Sequence, residues 1–199
     1  HEKETTILGI SRNLNEEQKK IKNKFDKIIF IEKDLSTLKN IDEELNLKAY
    51  YLTKFKEIIF INNAASINPI EAIGNFNDEV IFKSVQLNTI APILLTNNII
   101  KNNKSKLVRI FNISSGAAKT PIVGWGLYCS TKSANEMFFN TLKLQEANNK
   151  NIEVNNIDPG IIDTDMQKNI RSRSVEIMPN VELKSAQEVA LGIISAYKI

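Results

Sequence analysis

Short apolar runs alternate along this chain with longer stretches in which apolar residues recur every three or four positions. The runs at residues 6–11, 27–32, 57–62, 106–114 and 152–157 are rich in Ile, Val and Phe and carry few interior charges. That composition predicts strands covered on both faces of a parallel sheet. Between the runs, a helical period predicts helices at about 15–24, 35–54, 78–103, 128–148 and 186–195. Strictly alternating strands and helices imply right-handed βαβ units wound into a three-layer α/β domain. A length of 199 residues suits one such domain with a sizeable core. No internal repeat interrupts the pattern, and the many Asn and Lys residues are spread evenly.

Charge and rare residues narrow the chemistry. The net charge of +3 is small and the Lys, Asp and Glu residues are interspersed, so neither nucleic acid nor an anionic membrane is implied as partner. No apolar run reaches the roughly 18 residues of a spanning helix. The first ten residues lack the features of a signal peptide, and the cytoplasm is the expected location. The lone cysteine, Cys129, cannot form an internal disulfide, and no metal site is expected. Cys129 is expected to pack as a small apolar group. The single histidine is His1, which argues against a histidine base.

In doubly wound sheets, ligands bind beyond the carboxyl ends of the strands. The residues following the predicted strands are Ser11-Arg12-Asn13, Asp34-Leu35, Asn62-Asn63-Ala64-Ala65, Ser114-Ser115-Gly116 and Pro159-Gly160 with the four residues after it. Tyr128 and Lys132, four apart at the start of a helix, share one face. A nearby ammonium favours a phenolate, so the pair predicts a tyrosine of lowered pKa able to protonate a carbonyl oxygen. By itself the spacing describes many ordinary helix starts. Ser115, thirteen residues earlier at a strand end, and Asn88, a poor helix former inside a helical stretch, give it a context.

Asn-Asn-Ala-Ala, Asn88, Ser115, Tyr128-x-x-x-Lys132 and Pro-Gly-x-x-x-Thr stand in the order and spacing of the short-chain dehydrogenase/reductase family, which the stretch from 57 to 167 resembles. Ile-Ser-Ser-Gly, residues 124–129 and residues 163–167 look most like its sepiapterin reductases and bacterial benzil reductases. The resemblance implies a Rossmann-like fold, NADPH-dependent reduction of a diketone or sepiapterin-like ketone, and a homodimer. It implies Tyr128 as general acid, Lys132 on the nicotinamide ribose, Ser115 orienting the carbonyl and Asn88 holding a relay water. It places Gly160, Ile161, Ile162, Asp163, Thr164, Asp165 and Met166 along the nicotinamide and pyrophosphate. Asn63 and Ala64 would lie by the adenosine, and Asp34 and Leu35 by the adenine. Gly116, Trp125 and Gly160 would join Ser115 and Tyr128 around the substrate. Phe138 and Phe139 are expected at the dimer interface or in the core. Arg12 and Asn13, with no acidic residue beside them, favour NADP(H), because an arginine accommodates a 2′-phosphate where an acid would bond the 2′-hydroxyl. Two other activities fit the same fold: a non-catalytic dinucleotide-binding or regulatory protein, and an NAD-dependent alcohol dehydrogenase.

The family's glycine-rich turn is not evident. Either residues 8–15 are a degenerate copy of it, or residues 6–11 are the family's second strand and the turn lies upstream of His1. Spacing to Asn62 favours the second reading. The single domain expected over 1–199 is thus also expected to be incomplete at the N-terminus, near 180–184 and at the C-terminus.

Overall fold

All strand pairings in the computed structural model of the chain, which describes residues 5–50, 55–173 and 183–199, are parallel. β1 (Ile7–Ser11) pairs with β2 (Ile28–Glu32), placing Gly9 opposite Phe30. β3 (Glu57–Asn62), β4 (Leu107–Ile113) and β5 (Ile152–Ile157) form a second group in the order β3-β4-β5. A third pair, β6 (Ile162–Asp163) with β7 (Lys184–Ser185), lies beyond the end of β5. Helices flank the strands in the doubly wound α/β arrangement of a Rossmann-like fold. They are α1 (Glu16–Lys24), α2 (Ile41–Glu44), α3 (Asp78–Val85), α4 (Ala91–Asn102), α5 (Gly126–Gln145), α6 (Asp165–Arg173) and α7 (Ala186–Tyr197).

Two buried clusters explain the layering. Val108, Ile110 and Val154 of the sheet pack on Ile99 of α4 and on Phe139 and Leu142 of α5. Leu35, Leu38, Ile41, Leu45 and Leu47 pack on Ala91 and Leu95 of α4, with Leu8, Ile10 and Ile31 of the β1-β2 pair against them. Phe60 of β3 touches both clusters. Of the two adjacent phenylalanines on α5, Phe139 is wholly buried and Phe138 packs at the edge of its cluster. On the opposite face of the sheet, Tyr197 of α7 meets Phe111 edge-on, and Arg109 bonds Glu153 and the Tyr197 carbonyl. Coverage there is partial: Ile59 and Ile61 of β3 are 38% and 48% exposed, where full burial on both faces was expected.

Gly9 lies inside β1 with the Phe30 ring against its α-carbon; a Cβ would come within 2.7 Å of that ring. Residues 8–15 therefore read as a strand, a short turn and a helix start, and the degenerate glycine-turn reading falls. The helix expected at 35–54 is not continuous. Its apolar spacing survives, but the backbone breaks into a 3-10 turn (Leu35–Thr37), α2 and a second turn (Leu47–Ala49), while residues 51–54 lie outside the described residues. Asp34 accepts from the Ser36 N–H, Asn40 accepts from those of Asp42 and Glu43, and Asn46 adopts a left-handed conformation. Short polar side chains of this kind compete with the helix for backbone donors. The helix expected at 78–103 is interrupted by a π-helical turn at Gln86–Ile90. Pro92 supplies the reason. It has no N–H, so the regular ladder cannot close on the carbonyl of Asn88 four residues earlier.

At the carboxyl ends of β3, β4 and β5 stand Asn62, Asn112 and Asn156, in register. Asn62 donates to Asn112 Oδ1 (2.8 Å), Asn112 donates to Asn156 Oδ1 (2.7 Å), and Asn156 donates to Asn140 of α5 (2.8 Å). Asn135 of α5 also donates to Asn112 Oδ1 (3.3 Å). Replacing Asn112 by Leu leaves buried amide groups of its neighbours unpartnered. It should lower stability by about 1–3 kcal/mol, read from urea unfolding. An unchanged midpoint would mean that the ladder holds nothing together.

Candidate functional site

The 3-10 turn at Gly116–Ala118 begins where β4 ends, with Ser115 as its cap accepting from the Ala117 N–H. α5 starts at Gly126, so Tyr128 and Lys132 lie in its first two turns, only 6% and 5% exposed. The Ser115 hydroxyl lies close enough to the Tyr128 phenol to act on its titration as a hydrogen-bond partner. The Lys132 ammonium donates to the Ile113 carbonyl (2.8 Å) and lies 5.9 Å from the centre of the Tyr128 ring. Serine, tyrosine and lysine are thus brought together as the sequence predicts.

The electrostatics differ from expectation. Burial raises the Tyr128 phenol above its usual value; the Ser115 bond pulls it down, while Cys129 and Asp158 push it further up. The lowered tyrosine pKa expected from Lys132 is therefore not seen. Lys132 is itself titrated by the same burial, which brings its ammonium down to about 8, with Asp158 and Glu136 opposing the drop. A cation that has lost solvent spends its influence on staying charged, and the phenol beside it stays protonated.

Asn88 is 1% exposed inside the π-helical turn. Its Oδ1 accepts from the Ser66 N–H (2.8 Å), and its Nδ2 donates to the Ser66 carbonyl (2.8 Å) and to Thr131 Oγ1 (3.1 Å). Thr131 in turn donates to the Tyr128 carbonyl (3.0 Å). Asn88 is thus coupled to the turn of α5 that carries the tyrosine. Trp125 packs edge-on to Tyr128, 6.0 Å between ring centres, within a cluster that includes Ile67, Ala117 and Ile170. Its buried indole N–H has no partner among the described residues. Cys129 lies at the edge of that cluster.

The remaining predicted residues line the strand ends. Arg12 and Asn13 are exposed past β1. Asp34, after β2, is held below its usual value: burial opposes this, but bonds from Ser36 and then the charges of Arg12 and Lys83 outweigh it. The Leu35 side chain is committed to the core, so only its backbone can border a ligand. Asn63 and Ala64 are exposed after β3. Gly116 opens toward Asp158, whose Oδ2 is 3.8 Å from the place of a Cβ. Gly160 has φ +73, accepted without strain only by glycine, with no atom within 4 Å of a Cβ position. Ile161, Asp163 and Asp165 are exposed, Ile162 is in β6, Thr164 accepts from the Gln167 N–H, and Met166 packs near Trp125. The incompleteness expected near 180–184 falls mostly on residues 180–182, outside the described residues.

Reasoning from sequence missed Asp158 and Glu136, the two carboxylates acting on Lys132. Glu136 is one turn beyond Lys132 on the same face of α5, and the four-residue spacing that singled out Tyr128 and Lys132 continues to it. Asp158, directly before Pro159-Gly160, carries no such periodic signal.

With this geometry in view, comparison with known proteins is informative. The family model described as "short chain dehydrogenase" matches residues 2–174. A benzil reductase ((S)-benzoin forming) of Bacillus cereus is 33% identical over 197 residues, covering 91% of this chain and 75% of that enzyme. A sepiapterin reductase of Xenopus tropicalis is 33% identical over 126 residues, 61% of this chain and 47% of that enzyme. The chain thus spans three quarters of the first relative and about half of the second. The crystal structure of a short-chain dehydrogenase/reductase from Saccharomyces cerevisiae superposes with a TM-score of 0.73 at 23% identity, covering all of this chain and 75% of that one.

The burial of Lys132 has a measurable consequence for stability. Unfolded, it keeps its proton to about 10.5, and in the fold only to about 8. Between those values the unfolded chain binds more protons, so stability rises with pH. Wild-type protein should gain on the order of 3 kcal/mol relative to Lys132→Met across that window, measured as paired urea midpoints. A difference that stays flat with pH would refute the buried ammonium.

Proposed function

Since this chain belongs to the short-chain dehydrogenase family, we propose that it reduces a small-molecule carbonyl compound, a diketone or sepiapterin-like ketone, using NADPH. The observation that carries the reading is the half-buried Ser115 hydroxyl beside the buried Tyr128 phenol, with buried Lys132 next to them. The substrate class follows from the names of the benzil and sepiapterin reductases that the chain resembles.

The residues present fit a nicotinamide dinucleotide. Arg12 and Asn13 offer a cation and an amide for a 2′-phosphate, and ionised Asp34 offers an acceptor for an adenine amino group. Gly160 leaves its backbone open to the close approach of a flat ring. NADPH, when bound, supplies the hydride. In this reading Ser115 donates to the substrate carbonyl and orients it, and Tyr128, kept protonated by burial, delivers the proton to the carbonyl oxygen. Lys132 bonds the nicotinamide ribose and keeps a positive charge next to the phenol as its proton leaves. The Asn88 carbonyl, to which Pro92 offers no N–H, holds a water that resupplies the proton. Trp125 walls the substrate space, and its unpartnered N–H is available to a second oxygen of a diketone. Residues 161–166, with Asn63, Ala64 and the Leu35 backbone, complete the dinucleotide contacts. Phe82 of α3 and Met137 and Leu144 of α5, exposed at 74%, 66% and 79%, support a homodimer through these helices.

NADPH oxidation with benzil, followed by the loss of absorbance of the reduced cofactor, tests the reading. Tyr128→Phe should lower kcat by about 10²–10⁴-fold with nearly unchanged NADPH binding. Full turnover in that variant would sink the assigned acid, and NADPH binding without any turnover would favour a non-catalytic binding protein. Arg12→Ala should raise KM for NADPH by about tenfold or more while leaving that for NADH nearly constant. Equal effects on both cofactors would remove the case for NADPH.

A further inference from the structure

We propose that Glu136 is a positioning residue for the reaction: its single carboxylate ties both ends of the Ser115 turn to the helix that carries Tyr128 and Lys132. The inference rests on the reductase reading of that site and extends it to a residue with no contact to the reacting atoms.

Three independent attachments define the role. Glu136 Oε2 accepts from the Ser114 hydroxyl, immediately before Ser115. Its Oε1 faces the Lys119 ammonium at 3.4 Å, just after the 3-10 turn. Its backbone carbonyl accepts from Asn156 of β5 (3.5 Å), which joins the amide ladder across the strand ends. The Ser133 hydroxyl, one turn away, donates to the Ala118 carbonyl (2.7 Å) and fastens the same segment. Ser115 is therefore held between two anchor points on α5, and Tyr128 lies two turns before Glu136 on the same face. The Glu136 side chain is 14% exposed while Lys119 is 69% exposed. The inner bond to Ser114 is thus the one shielded from screening, and the outer pair is the weaker of the two.

The carboxylate also acts by charge. The titratable groups facing Lys132 are Asp158, Glu136 and Tyr128, and those facing Glu136 are Lys119 and Lys132. Without Glu136, burial is opposed by Asp158 alone, and Lys132 should lose its proton at lower pH. Glu136→Gln keeps an acceptor for Ser114 and removes the charge; Glu136→Ala removes both; Ser114→Ala removes the bond and leaves the charge.

Two readouts that need no substrate test the proposal in the full-length protein. One is the Tyr128 titration, taken as tyrosinate absorbance against the matching Tyr128→Phe protein; the other is pH-dependent amine labelling of Lys132, read by mass spectrometry. Glu136→Ala and Ser114→Ala should raise the Tyr128 titration, because the lowering bond from Ser115 is lost, whereas Glu136→Gln should retain the wild-type phenol. Lys132 should be labelled at lower pH in both Glu136 variants and as in wild type in Ser114→Ala. In benzil turnover, Glu136→Ala should lower kcat about tenfold or more with KM for NADPH within about twofold, and Glu136→Gln should recover most of kcat at a pH where Lys132 is still charged. Wild-type titrations of Tyr128 and Lys132 in folded variants would overturn the proposal. If Glu136→Ala does not fold, Glu136→Gln and Ser114→Ala decide it by the same readouts. Absence of benzil turnover in wild type alongside shifted titrations would count against the substrate and leave the positioning role standing.

Discussion

The site depends on a constraint that lies underneath it: three parallel strands must end at the same level. Hydrogen bonding along a parallel ladder is evenly spaced, so nothing in the backbone alone marks where strands should stop. Here Asn62, Asn112 and Asn156 mark the level with side-chain amides, each paired across a strand, and Asn135 and Asn140 extend the pairing to α5. A slip of one strand by a residue would turn its amide to the opposite face and break the row. The residues one to three positions further on, Asn63, Ser114 with Ser115, and Asp158, inherit their alignment from it. Buried amides are costly unless partnered, and this cost is what makes the row specific.

The catalytic helix shows how function works against stability. Tyr128 and Lys132 have nearly lost contact with solvent, and burial disfavours the charged form of each. The phenol therefore holds its proton and the amine holds its own less tightly, with two carboxylates needed to keep it cationic near neutrality. In the proposed reaction the phenol would be a stored proton, and the ammonium would stabilise the charge that appears when that proton departs. Such a site is less stable than an apolar replacement would be, which is the usual relation between an active site and its fold.

Much of this was legible in the sequence because it follows from short-range rules. Apolar runs placed all five principal strands to within a residue or so, and the rule that ligands bind beyond strand ends led to Arg12, Asp34, Asn63, Ser115 and Gly160 before any coordinates. Tyr128, Lys132 and Ser115 were found through spacing and then met in space. What could not be read depends on competition and on distance. The 35–54 stretch keeps a helical apolar period, yet Asp34, Asn40 and Asn46 divert its backbone, a local contest that periodicity does not register. The π-helical turn around Asn88 comes from one missing N–H at Pro92. The roles of Asn112 and Glu136 rest on partners such as Asn62 and Ser114, 50 and 22 residues away, and several of the asparagines spread evenly along the chain are structural. The direction of the Tyr128 shift differs from the expectation because desolvation, invisible in a sequence, outweighs the one influence that lowers it, the Ser115 hydroxyl.

The way Asn88 holds Ser66 has one more consequence. An asparagine side chain that accepts from a residue's N–H and donates to the same residue's C=O imitates a neighbouring β-strand one peptide long. The loop after β3 is thereby paired as though it were still in a sheet, and its pairing partner is a helix that also grips Thr131. Local opening of that loop cannot occur without disturbing the helical turn beneath Tyr128. The loop after β3 and the turn that carries Tyr128 therefore belong to one cooperative unit and should exchange their amide hydrogens together, as a single folding element would.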